Sequence, residues 1–231
     1  MMNFLKWYWE TWQRLMVQPI LFYTRLPEGP WYEDSVNFGG ASLLILSLLI
    51  TIGIFFTQYI GLMQTLTAGL SPLKLVIVSP VIIIYLAVIS IMTFLIASGI
   101  ILTFFLSAFF VLGIILHFSL KTLGGNGKFF DTVKAVFYSL GIVQSGSLLV
   151  LLAIITRFVS KNFGLFVIGE NLVYYGTALY AYGLWSIAGK EVHKVERWQA
   201  FLAAAIPFIL MALFNFAFVK LGLPKFSKFI V

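Results

Sequence analysis

The chain has 231 residues, of which 61% are hydrophobic and 10% charged, with a mean hydropathy of +1.03 and a formal net charge of +7. Soluble domains carry about 25% charged residues, so too few ionisable groups remain to cover a water-facing surface. This excludes a soluble enzyme, a nucleic-acid-binding domain and a disordered chain, and it leaves an integral membrane protein. The absence of cysteine removes disulfides, thiol chemistry and cysteine-ligated metals. The positive charges lie in short clusters between apolar runs, which fits the positive-inside rule and contact with anionic headgroups.

Residues 1–34 form a cytosolic, interfacial segment and 35–231 a transmembrane bundle. In the first segment Lys6, Glu10 and Arg14 recur every four residues as one polar stripe, with Glu10 placed to pair with Arg14. Phe4, Leu5, Tyr8, Trp9, Trp12, Leu15 and Met16 fill the other side, so the pattern predicts an amphipathic helix lying in the membrane interface. Packing on the protein's own loops is the alternative. Pro19 ends or restarts this helix, and Pro27-Glu28-Gly29-Pro30 is a turn.

Stretches free of Asp, Glu, Lys and Arg locate the spans, since crossing the hydrocarbon takes about 20 apolar residues. The runs are 35–73, 75–120, 135–156, 171–189 and 198–219, and they predict spans at about 36–60, 93–120, 132–156, 171–189 and 198–219. The first is expected to end between Gln58 and Gly61, with Gln64–Ser71 as a loop and Pro72 restarting helix. The run 75–120 is too long for one crossing. It reads either as two spans joined by a tight turn near Ala97-Ser98-Gly99, or as one span preceded by a Pro80-kinked apolar segment, 73–92, buried against the other helices. The fold class is therefore all-α, a polytopic bundle of five spans (alternatively six). With a cytosolic N-terminus, five spans place nine Lys and Arg inside and six outside, against eight and seven for six spans, and the rule favours five. Five spans also put Trp7, Trp9, Trp12, Trp31, Trp185 and Trp198 on one face at headgroup depth, where an indole ring is half apolar and half wet.

Helices in lipid associate through small residues that admit close backbone approach. The expected seams are Ser47 with Thr51, Gly99 with Thr103 and Ser107, Gly141 with Ser145, and Thr177 with Ala181. No carboxylate, lysine or arginine lies inside these charge-free runs, which argues against a proton-coupled transporter or ion pump. Gln58, Gln144 and Asn215 are the only amides within or at the ends of spans. Gly124-Gly125-Asn126-Gly127-Lys128 has glycines and a lysine like a phosphate loop, but Thr122 and Phe129 occupy positions where that motif needs Gly and Ser or Thr; it reads as a turn with glycine ending a helix. His117 and His193 have no partner at ligand spacing and read as solitary interfacial histidines. Lys190–Arg197 reads as a solvated connection. No catalytic, cofactor or metal motif is present.

Three segments, in order, resemble the prokaryotic branch of the YIP family, the Ypt/Rab-interacting-protein membrane domain. The first runs from Trp9 and Trp12 through Pro19, Phe22 and Tyr23 to Leu26-Pro27-Glu28-Gly29 and Phe38. The second comprises His117, Lys121, Gly124, Gly125, Gly127-Lys128-Phe129 and Tyr138-Ser139. The third spans Trp185 to Lys190, His193 to Ala200, and Pro207. The resemblance implies five transmembrane helices and a cytosolic N-terminus, though segment 73–92 is longer and more apolar than that layout needs. In eukaryotes the family is associated with traffic between endoplasmic reticulum and Golgi, through Rab-type GTPases and partners of the same class. Those members carry a longer hydrophilic N-terminal domain, and with 34 residues here GTPase binding is not carried over. The short segment points to a prokaryotic plasma membrane. The expected role is a non-enzymatic scaffold without cofactor, acting on the lipid bilayer and on membrane-protein partners or further copies of itself; the alternative is a permease or channel-like protein for a neutral or lipid-like solute.

Overall fold

The computed structural model describes residues 2–156 and 163–217. Its helices are α1 (Met2–Val17), α2 (Pro19–Thr24), α3 (Asp34–Ile54), α4 (Ile60–Thr67), α5 (Pro72–Thr122), α6 (Phe129–Tyr138), α7 (Gly146–Ile155), α8 (Phe163–His193) and α9 (Arg197–Ala217). A wide π segment, Phe55–Tyr59, joins α3 to α4, and a tight 3-10 segment, Ser139–Ser145, joins α6 to α7. The described residues contain no strand. The reason is physical: in lipid a spanning backbone must satisfy its own polar groups, which a helix does within one segment. Among the described residues, three helical stretches are long and apolar enough to cross a membrane: Asp34–Thr67, Pro72–Thr122 and Phe129–Ile155.

Two expectations are corrected. Gln64–Ser71 is not a loop throughout; helix persists to Thr67 and the turn is confined to 68–71. Thr65 and Thr67 keep their hydroxyls inside the helix by donating to the carbonyls of Gly61 (3.1 Å) and Met63 (2.9 Å), so their polarity does not break it. The run 75–120 contains no turn at Ala97-Ser98-Gly99, because α5 is one 51-residue helix. Nor is its first half buried. Ile82 and Leu86 are buried, whereas Leu73, Val76, Val81 and Ile84 are 64–74% exposed. A face this apolar suits contact with lipid. Pro80 has no N–H to offer the Val76 carbonyl four residues back, and Ser79 Oγ donates to that carbonyl instead (3.0 Å).

The described chain forms two compact units. Unit 1 comprises 2–37, 108–139 and 179–217; unit 2 comprises 38–107, 140–156 and 163–178. Within unit 2, glycines and hydroxyls bring helices together as lipid-embedded packing requires. A β-carbon on Gly53 would stand 2.7 Å from Val150, one on Gly146 2.9 Å from Leu46, and one on Gly169 2.7 Å from Leu152. Ser145 and Thr177 join by a hydroxyl hydrogen bond (2.7 Å), as do Tyr59 and Thr93 (2.6 Å). The expected seam at Gly99 is different, because nothing lies within 4 Å of its β position. Gly53→Val should therefore cost about 1–3 kcal/mol by overpacking, seen as an earlier thermal transition in detergent, whereas Gly99→Val leaves no such packing penalty.

Candidate functional site

Unit 1 gathers polar groups where α5 ends, α6 begins and α8 ends. Gly124 has φ +90°, a conformation glycine adopts without steric cost. Gly125 N–H donates to Leu120 C=O (2.9 Å) and Gly124 N–H to Lys121 C=O (3.1 Å), the bond pair of a Schellman cap. The next two amides turn toward α8: Asn126 N–H donates to His193 C=O (3.1 Å) and Gly127 N–H to His193 Nδ1 (3.2 Å). The four amides from Gly124 to Gly127 are thus spent on the protein itself rather than on a phosphate.

Thr132, one turn into α6, completes the cluster. Its Oγ1 lies 2.7 Å from His193 Nε2, 3.2 Å from His117 Nδ1 and 3.2 Å from Lys128 C=O. A backbone N–H only donates, so His193 Nδ1 is the acceptor and the imidazole proton sits on Nε2, donated to Thr132. The Thr132 proton is then shared between His117 and the Lys128 carbonyl. The imidazole centroids are 5.1 Å apart, and Phe129 stands edge-on to His117 at 5.3 Å. His193 is 1% exposed, and burial, reinforced by the nearby His117 and Lys121, pushes its pKa down to about 4.

The reading of two solitary histidines is corrected: both engage one threonine. Five of the residues carrying the family resemblance (His117, Gly124, Gly125, Phe129 and His193) meet here. The glycines explain themselves by contact. A β-carbon on Gly125 would fall 2.6 Å from His193 Nδ1, and one on Gly127 2.7 Å from the same ring and 2.8 Å from Val192 C=O. Gly127 was visible as part of the glycine-rich turn and of the resemblance, whereas Thr132 had no distinguishing signal in the sequence. Among the described residues no group of three or more His, Cys, Asp or Glu could hold a metal.

Lys190–Arg197 is not simply a solvated connection. Its first four residues complete α8, Lys194 takes a positive φ of 56°, and His193 and Val195 are buried. Glu191 accepts from Lys190 (2.9 Å) and lies 3.1 Å from Thr24 Oγ1. The Lys190 bond, with help from Thr24 and Lys194, holds its carboxyl below the usual range against the opposing effect of burial. Gln199 accepts the Glu196 N–H and donates to Leu123 C=O, both at 2.9 Å, tying the start of α9 to the end of α5 in the manner of half a capping box.

In the N-terminal segment, α1 is helical as expected, and Glu10 pairs with Lys6 (4.0 Å) rather than Arg14. Tyr8 and Leu15 are buried, while Phe4, Leu5 and Trp9 are exposed, so one side of the helix docks on unit 1 and another stays open. Trp7 and Trp12 are half-buried, and Trp9 stacks on Trp12 at 5.2 Å. Pro19 takes the first position of α2, which suits its fixed φ. Phe22 is buried edge-on to Tyr138 at 5.0 Å. Tyr23 donates to Ala135 C=O (3.3 Å), and burial raises its phenol well above the ordinary value. Trp198 is exposed, but Trp185 is 2% exposed and donates to Ser139 Oγ (2.7 Å), so protein rather than headgroups encloses its ring.

Gln58 is exposed and Gln144 half-buried, while the Asn215 side chain lies outside the described residues. One further correction concerns charge. Asp131 and Lys134 lie within the apolar stretch Phe129–Ile155. Lys134 is buried, its ammonium donating to the carbonyls of Pro27 and Gly29.

The family model described as Yip1 domain matches residues 14–219. That range takes in α2 through α9 and every residue of the histidine junction. No curated protein and no solved structure matches the chain.

Proposed function

This chain belongs to the Yip1 family, and from that premise we propose that it is a non-enzymatic scaffold that organises the membrane and its protein partners. The reading places it in a prokaryotic plasma membrane, with five spans and a cytosolic N-terminus. It rests on one observation: α1 is held to unit 1 through Tyr8 and Leu15 yet keeps Phe4, Leu5 and Trp9 exposed beside Lys6 and Arg14. An apolar face flanked by cations seats in an anionic interface. Because the helix is fixed to unit 1, it wedges apart headgroups beside its own protein. The Thr24–Glu191 contact and the Tyr180 hydroxyl donating to Met16 C=O (2.6 Å) hold that wedge in place.

The test is reconstitution of the full chain in vesicles containing anionic lipid. Wild type should shift vesicle diameters, measured by electron cryo-microscopy, without releasing trapped neutral solutes. Trp9→Ala with Trp12→Ala should abolish most of that shift, since the exposed Trp9 ring alone contributes roughly 2 kcal/mol of anchoring. Unchanged diameters in wild type, with solute flux lost in Gln144→Leu, would instead establish a permease.

A further inference from the structure

Within unit 1 the turn before α3 and the first turns of α6 enclose a cavity of about 330 Å³, lined by the Gly29-Pro30 backbone, Trp31, Tyr32, Phe130, Asp131 and Lys134. Lys134 is 2% exposed. An ammonium has three donors, and two are taken by the carbonyls of Pro27 and Gly29. Among the described residues the ion pairs are Lys6–Glu10, Lys190–Glu191 and Lys194–Glu191, so Lys134 has no carboxylate within 4.0 Å. A buried cation with a spare donor and no counter-charge is costly, and an anion in the cavity would relieve it.

The rest of the lining has the opposite preference. Asp131 also makes no ion pair among the described residues. Trp31 and Phe130 lie almost parallel, 9° apart with centroids at 6.0 Å, and Tyr32 meets Trp31 edge-on. Ring faces and a carboxylate together attract a cation. Asp131 and Lys134 are three residues apart on one helix, hence neighbours on its surface. The cavity therefore offers an anion position and a cation position one turn apart. Tyr32 and Phe130 are themselves 63% and 54% exposed, leaving an apolar rim where acyl chains would run.

We propose that this cavity receives an amine-bearing phosphate ester, supplied as the headgroup of a zwitterionic phospholipid. The phosphate meets Lys134, and the ammonium meets Asp131 and the faces of Trp31 and Phe130. The proposal does not depend on the scaffold reading, since the α1 substitutions above leave this lining unchanged.

The test is native mass spectrometry of the full chain, purified in detergent and delipidated, then offered phosphatidylethanolamine, phosphatidylglycerol, free phosphoethanolamine or inorganic phosphate. Wild type should retain phosphatidylethanolamine over phosphatidylglycerol by about fivefold, the worth of one cation–π contact of about 1 kcal/mol. Asp131→Asn and Tyr32→Ala, both at solvent-reachable positions that should keep the fold, should erase that preference, and Lys134→Met should weaken retention of both lipids. Equal retention of the two lipids by wild type, or a preference surviving both surface variants, overturns the proposal. Displacement of the lipid by equimolar phosphoethanolamine or inorganic phosphate overturns the lipid source.

Discussion

Alanine at Gly127 is expected to destabilise the protein by about 2–6 kcal/mol, the sum of an overpacking cost of about 1–3 kcal/mol and a similar cost for stranding buried hydrogen-bond partners. The new methyl group would stand 2.7 Å from the His193 ring and 2.8 Å from the Val192 carbonyl. Neither neighbour is a loose side-chain end. The ring is fixed by Gly127 N–H on one nitrogen and Thr132 on the other, and the carbonyl belongs to α8. Relief by moving the loop would also release the Asn126 N–H from His193 C=O. The measurement is thermal unfolding in detergent, followed by circular dichroism. Gly40→Ala serves as the control: the residue is in α3 with nothing within 4 Å of its β position, so alanine there should raise stability by up to about 1 kcal/mol through helix propensity. A Gly127→Ala transition coinciding with wild type would show that the junction does not constrain the fold.

The second large effect is loss of stability in acid. His193 is neutral in the folded protein with a pKa of about 4, below the value of about 6.5 for an unperturbed histidine. The unfolded chain therefore binds a proton that the folded protein refuses. This contribution is complete above pH 6.5 and declines as pH falls toward 4, by up to about 1.4 kcal/mol per pH unit. Burial is the main reason, with His117 and Lys121 adding to it, and the geometry agrees: a proton on Nδ1 would point at the Gly127 N–H, donor against donor. Denaturant midpoints measured between pH 7 and 4 should fall steeply for wild type. His193→Gln should start lower at pH 7 and vary less over that window. Glu191, whose carboxyl is depressed, loses its contribution as pH falls through the carboxylate range, so its effect is concentrated toward the acid end. An identical slope in His193→Gln would assign the acid sensitivity elsewhere.

The helical class was legible because lipid leaves so few alternatives and because charges mark where helices leave it. Boundaries were less so. Nothing in the letters around Gly99 separates a turn from a helix, since an isolated glycine facing outward is tolerated and no packing partner reveals it. At Gln64–Thr67 the polar letters imitate a loop, while the threonine hydroxyls bond back into the helix. The junction was legible only as fragments. His117 and Thr132 are 15 residues apart, but Thr132 and His193 are 61, and no spacing rule reaches that far. Lys134 was lost for a different reason. Cutting the span at its last charge treats charge as a boundary, whereas here a lysine stem runs through the packed helix and its head is received by carbonyls from a distant turn.

The make-up of unit 1 bears on how the molecule is assembled during synthesis. Its three sequence stretches are interrupted by the whole of unit 2, and His193, the residue that occupies both the glycine loop and Thr132, belongs to the last of them. Until α8 is complete, Thr132 and the amides of the glycine loop have already been made without His193, the partner that completes their hydrogen bonds. A nascent chain is therefore committed to a provisional arrangement through most of its translation, with final locking deferred to the last quarter of the polypeptide. This is the interval in which insertion machinery or a chaperone would find exposed polar groups to hold.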